Sequence, residues 1–168
     1  MISITEQPRV ATSTWTPAKA VLVGGLIAGA WDMSYALLWF VGVKHAPWMR
    51  IPQSVAGGLI GKASFDGGAG TVMLGFALHW TIAIIWAAIY VYAGRRFIPD
   101  LLRRPIPYGL AYGAWIYFCM NWIVLPLDAM HTKPHFTPLD TWLTGLAIHM
   151  VGIGLSIALC ASKTASER

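Results

Sequence analysis

Apolar positions in this chain fall into four long runs, at about 20–43, 69–93, 106–127 and 142–160. Each approaches the roughly 20 apolar residues that a helix needs to cross a bilayer. The pattern predicts an all-α protein, a four-transmembrane-helix up-down bundle over residues 20–160. Tails of 1–19 and 161–168 flank it. The first run is too long for the apolar core of a signal peptide, and it contains Asp32, so it reads as a retained span. Between the first two runs the pattern changes. After Pro52, the residues Ile51, Val55, Leu59 and Ala63 recur every four positions, with Ala56 and Ile60 beside them. This spacing predicts a short helix in the 49–63 segment, interfacial or re-entrant, with an apolar face.

Composition agrees with the runs: 57% of residues are hydrophobic and 11% charged. Soluble domains carry about a quarter charged residues. The net charge of +5 does not point to nucleic acid, because the basic residues stand in short clusters beside apolar runs. The expected partner is the lipid bilayer, with a membrane protein or a second copy of the chain as further candidates.

Counting Lys and Arg sets the expected orientation. Arg9, Lys19, Arg95, Arg96, Arg103, Arg104, Lys163 and Arg168 would lie on one side, and Lys44, Arg50, Lys62 and Lys133 on the other. The positive-inside rule puts the larger set, and both termini, in the cytoplasm. Cys119 and Cys160 would then sit about 15 Å apart in depth, which excludes a disulfide between them.

The two halves of the chain echo each other. Gly25-Leu26-Ile27-Ala28-Gly29-Ala30-Trp31 resembles Gly109-Leu110-Ala111-Tyr112-Gly113-Ala114-Trp115, and Gly75-Phe76-Ala77-Leu78-His79 resembles Gly145-Leu146-Ala147-Ile148-His149. The order is the same in each half, as expected of a tandem repeat of two helical hairpins. Each run also carries small residues at three- and four-residue spacing, the mark of a face where membrane helices approach closely. Asp32, His79, Tyr117, Asn121 and His149 fall within those stripes. They should face inward as one buried polar layer, with Asp32 and His79 about 15–17 Å and His149 about 10 Å below the outer helix ends.

An ionisable group inside a span is a functional hypothesis by default. Four readings of the layer stay open. It could be polar glue that holds the bundle together. His79 and His149, on diagonal helices, could ligate haem b axially. Asp32 and a histidine could pass protons. Asp32, His79 and His149 could bind a metal. The outer loop Asp128-Ala129-Met130-His131-Thr132-Lys133-Pro134-His135, with His45 on the same side, offers imidazoles to copper or zinc. Its ordinary reading is a solvated loop, since Pro134 separates His131 from His135 on any helical face. Trp48, Trp142, Tyr90, Tyr92 and Tyr108 near span ends read as interface anchors. No reaction motif is present, so an accessory or structural component is expected rather than an enzyme.

The segments at 25–32, 52–59, 74–79 and 125–127, together with the His149 helix, resemble a group of uncharacterised bacterial four-helix inner-membrane proteins that are distantly YagU-like. The resemblance spans roughly residues 20–160. It implies a multi-pass bacterial inner-membrane protein and brings no catalytic residues with it.

The orientation is directly testable. Reporter fusions after Ala165 and within 97–102 should give cytoplasmic signal, and fusions within 131–138 the exterior signal. The reverse pattern would invert the assignment.

Overall fold

The computed structural model describes residues 15–134, 136 and 138–165, and every regular element among them is helical. Four helices are long and apolar enough to span a membrane: α1 (Pro17–Val43), α3 (Gly68–Arg96), α5 (Pro105–Leu127) and α6 (Leu139–Ser162). Two short helices join them, α2 (Arg50–Ile60) and α4 (Asp100–Arg103). The first and last described residues and α4 lie at one end of the bundle, the terminal end; α2 and the 128–138 connection lie at the other, the loop end.

Local chemistry explains the starts. Thr16 caps α1 by accepting from the Lys19 amide at 3.2 Å, and Pro17 occupies the first turn, where its missing N–H costs nothing. Pro105 opens α5 in the same way. The helices are not regular throughout. α1 becomes a π-helix over Leu37–Val43, α5 over Met120–Val124 and α6 over His149–Gly154. A π segment shifts the side-chain register and loosens the backbone ladder, and such segments are frequent at functional sites.

Packing makes a chain of neighbours. α1 lies against both α3 and α6, and α6 lies against α5. α3 and α5 meet chiefly through Tyr112, whose hydroxyl donates to the Trp86 carbonyl at 2.8 Å and whose ring packs on Trp86 and Tyr90. These contacts lie toward the terminal end, so the α3–α5 seam is open toward the loop end. The buried core, including Ala28, Ala87, Val91, Ile157 and Ala158, fills the terminal half. Large apolar side chains such as Leu38, Met73, Trp115 and Val151 point outward, as a lipid-facing surface requires.

The close contacts depend on glycine. A Cβ built at Gly113 would overlap the His149 carbonyl, and one at Gly154 would overlap the Gly109 carbonyl. α5 and α6 therefore touch main chain to main chain, the small-residue packing that the stripes predict. Gly75 behaves differently. Its stripe predicts a contact with another span, yet a Cβ there would overlap the Pro52 carbonyl of α2.

The 49–63 segment forms α2, followed by a 3-10 turn over Gly61–Phe65; it buries Pro52, Gln53, Ala56 and Gly57 against the bundle and leaves Leu59 and Ile60 exposed. Small residues win that face because the backbones approach so closely at Gly75. Among the expected interface anchors, Trp48 and Tyr92 are exposed, whereas Tyr90 is buried and donates to the Leu101 carbonyl at 2.8 Å. Trp142 packs among Tyr117, Phe118 and Phe136. Cys119 and Cys160 are both free and buried, as their separate depths require.

Gly113→Val and Gly154→Val should each lower thermal stability in detergent by about 1–3 kcal/mol, the usual cost of overpacking. Gly42→Ala and Gly70→Ala, where an added Cβ meets nothing within 4 Å, should shift the unfolding midpoint little. Equal effects at all four positions would remove the close-packing argument.

Candidate functional site

Four residues of the expected polar layer come together where the α3–α5 seam opens. Asp32 of α1, His79 of α3, Asn121 of α5 and His149 of α6 all line a chamber of about 590 Å³. Tyr117, the fifth, is buried behind them and faces a second cavity of about 580 Å³. Asp32, Asn121 and His149 line both cavities, so they form part of the wall between them.

The hydrogen-bond donors of this layer face the backbone. His79 Nε2–H donates to the Gly29 carbonyl at 2.9 Å. His149 Nδ1–H donates to the Gly145 carbonyl at 2.8 Å. Asn121 donates an amide N–H to the Tyr117 carbonyl at 2.9 Å, and the Tyr117 hydroxyl donates to the Trp142 carbonyl at 3.0 Å. Because a carbonyl only accepts, these contacts fix which ring nitrogens carry protons. In its neutral form His79 then has an acceptor at Nδ1, and that atom lies 4.0 Å from the Asp32 carboxylate. The gap is too long for a direct hydrogen bond. A single donor set to one side of the gap can reach both acceptors.

Asp32 retains access to water at its place in the chamber wall, with 29% of its side chain exposed, against 12% for His79. That access limits the desolvation cost that a dry carboxylate at mid-span would incur. The structure pairs Asp32 with His79 and brings no ion pair between Asp32 and His149 among the described residues. The Tyr117 ring instead packs edge-on against His149, 5.0 Å between centroids.

These contacts bear on the cofactor expectations. His149 keeps Nε2 clear of protein hydrogen bonds among the described residues. His79 would have to release Gly29 to present Nε2 to an iron. Among the described residues no three His, Cys, Asp or Glu side chains gather as a metal's ligand set. His45 and His131 are both exposed and both adopt positive φ, 57° and 50°. His131 Nδ1–H donates to the Pro126 carbonyl at 3.3 Å. His135 lies outside the described residues.

The loop end supplies chamber residues that sequence spacing does not reveal. Ser54, Val55, Gly58 and Leu59 of α2 and Asp128, Met130 and Thr132 beyond α5 form its mouth, while Leu78, Ile82, Trp86, Ile116 and Met120 line its walls. Asp128 Oδ1 accepts from the amides of Met130 and His131 at 2.8 and 3.0 Å, and the Ala129 amide donates to the Gly58 carbonyl at 3.0 Å. α2 and the α5 terminus are thereby tied together. Near the second cavity, Lys44 pairs with Asp140 at 2.7 Å, and the Tyr35 and Thr144 hydroxyls share a hydrogen bond of 2.8 Å.

Fold and site together define a multi-pass membrane protein with a largely apolar chamber that a few polar side chains enter. Comparison with known proteins adds no relative: no family model matches the chain, and neither a curated protein nor a solved structure matches it.

The pairing of Asp32 with His79 predicts a modest coupling. A double-mutant cycle of Asp32→Ala and His79→Ala, read by reversible unfolding in detergent, should give about 0.5–1 kcal/mol, the usual size for polar contacts between membrane helices. Strict additivity of the two substitutions would show that the pair does not interact.

Proposed function

We propose that this chain is an accessory component of the bacterial inner membrane, with both termini cytoplasmic, which binds a small molecule in the chamber between α3 and α5. The observation that carries this reading is the open seam. The terminal half of the bundle is packed, while the loop half keeps about 590 Å³ walled by Asp32, His79, Asn121 and His149. A cavity of this size, largely apolar with a few convergent polar groups, has the character of a ligand site. The π segments that begin or lie at His149 and Asn121 support the same reading.

Proton handling is the second reading. It is favoured by the 4.0 Å separation of Asp32 and His79, which leaves room for one donor between two acceptors. A tandem origin of the two hairpins also belongs to the proposal. Gly29 meets His79, and Gly113 meets His149, at matching places in the two halves. The contacts differ in kind, a side chain in the first and a main-chain carbonyl in the second.

Cysteine accessibility tests the chamber. In a Cys119→Ala, Cys160→Ala background, Ile82→Cys and Met120→Cys should react with a small charged thiosulfonate added to the protein in lipid nanodiscs. Val91→Cys, at a core position with no exposure, should be slow to react. If Ile82→Cys and Met120→Cys react no faster than Val91→Cys, the chamber is closed to water and the binding reading fails.

A further inference from the structure

We infer that the chamber's ligand is a small lipophilic amine, bound as its ammonium with the N–H groups directed at Asp32 and His79. The inference deepens the binding reading above and rests on it. It starts from a count of donors and acceptors. His79, His149 and Asn121 each donate to the backbone carbonyls of Gly29, Gly145 and Tyr117. Ser54 donates its hydroxyl to the Ile51 carbonyl at 2.7 Å. What these residues turn to the chamber is acceptor capacity: His79 Nδ1, His149 Nε2 and the Asn121 side-chain oxygen. To these the chamber adds two carboxylates, Asp32 and Asp128; its remaining side-chain donors are neutral, the Trp86 indole N–H, the Thr132 hydroxyl and one Asn121 N–H, and no Lys or Arg lines it.

Such a wall discriminates among head groups. A carboxylate or phosphate would find only a few neutral donors beside two carboxylates, with no cation to offset its desolvation. A neutral hydroxyl could satisfy one acceptor and would leave the charges unpaired. An ammonium brings several N–H donors and a positive charge in one group, and its hydrogen bonds to a carboxylate are of the strong, charge-assisted kind. The 4.0 Å between Asp32 and His79 Nδ1 is a span that one nitrogen can bridge by donating to both. Around this point Leu78, Ile82, Ile116 and Met120 supply an apolar wall for the ligand's body. Access fits the same chemistry. Lipophilic amines concentrate in bilayers, and the chamber lies among helices long and apolar enough to span one.

The test compares one compact body carrying three heads. 1-Aminoadamantane, 1-adamantanol and 1-adamantanecarboxylate are each measured by equilibrium dialysis against the full chain in phosphatidylcholine nanodiscs, with empty nanodiscs subtracted. The amine should bind saturably, one per chain, and at least about tenfold more tightly than the other two, the difference a charge-assisted hydrogen bond commonly makes. Asp32→Asn should weaken the amine by about tenfold or more, while Asp32→Glu should retain most of the binding. Asp128→Asn, at the chamber mouth and outside the close-packed core, should weaken it as well and guards against misfolding of the first variant. Equal or tighter binding of the alcohol or carboxylate would overturn the inference, as would unchanged amine binding in folded Asp32→Asn or an amine that does not bind at all. Cysteine reactivity at positions 82 and 120 separates the two failures. A reactive chamber that rejects the amine refutes the ligand class alone, whereas an unreactive chamber refutes the binding reading beneath it.

Discussion

Where α5 crosses α6, one main chain rests against another: Gly113 on the His149 carbonyl and Gly154 on the Gly109 carbonyl. Side chains at these positions would force the helices apart, and in a bilayer there is no hydrophobic drive to hold separated helices together. The contact therefore fixes the position of α6, and through it the rest of the bundle. α1 packs on α6 through Gly24, whose nearest neighbours are Cys160 and Ile157. α3 packs on α1, where Gly25 faces Ile84. The series of close contacts runs from α5 through α6 and α1 to α3. It does not close back on α5 with another glycine contact, so large aromatic side chains hold that last seam at Tyr112, Trp86 and Tyr90.

The chamber follows from that asymmetry. An aromatic contact at the terminal end holds α3 and α5 at ring separation, and nothing of comparable intimacy draws them together toward the loop end. α2 covers the gap there without filling it. It reaches α3 through the Gly75–Pro52 contact and reaches the end of α5 through the Ala129–Gly58 hydrogen bond. The polar layer then lines a cavity wall, and this is what allows an aspartate to exist at mid-span. The residual access of Asp32 to the chamber lowers a desolvation cost that the His79 contact at 4.0 Å could not offset alone.

The backbone has a second role at this level. Three backbone carbonyls take a donor from the polar layer: Gly29 across the α1–α3 contact, and Gly145 and Tyr117 one turn back on the donor's own helix. The side chains are held in fixed orientations, and the acceptors that remain face the chamber. A layer built of the same residue types with donors free would present a different surface to any ligand.

How much of this is legible in the chain itself differs by level. The four apolar runs determine four membrane helices, because length and hydrophobicity alone decide what can satisfy its backbone inside a bilayer. The stripes determine that Asp32, His79, Asn121 and His149 face inward, since helical periodicity sets which residues share a face. Spacing also placed a helix after Pro52. It left open which face meets the bundle: backbone contact at Gly75 puts Ala56 and Gly57 there, while Leu59 and Ile60 stay exposed. Tyr90 likewise resembles an interface aromatic by position, and only the fold of α4 beneath it supplies the Leu101 carbonyl that buries it. Depth on the adjacent helix already names His79 as the first partner of Asp32, and the two do meet; that Asp128 and α2 share its chamber, and that α3 and α5 part company, depend on contacts between residues distant in sequence. Periodicity describes one helix at a time; the separation between two helices is decided by every contact that holds each of them elsewhere.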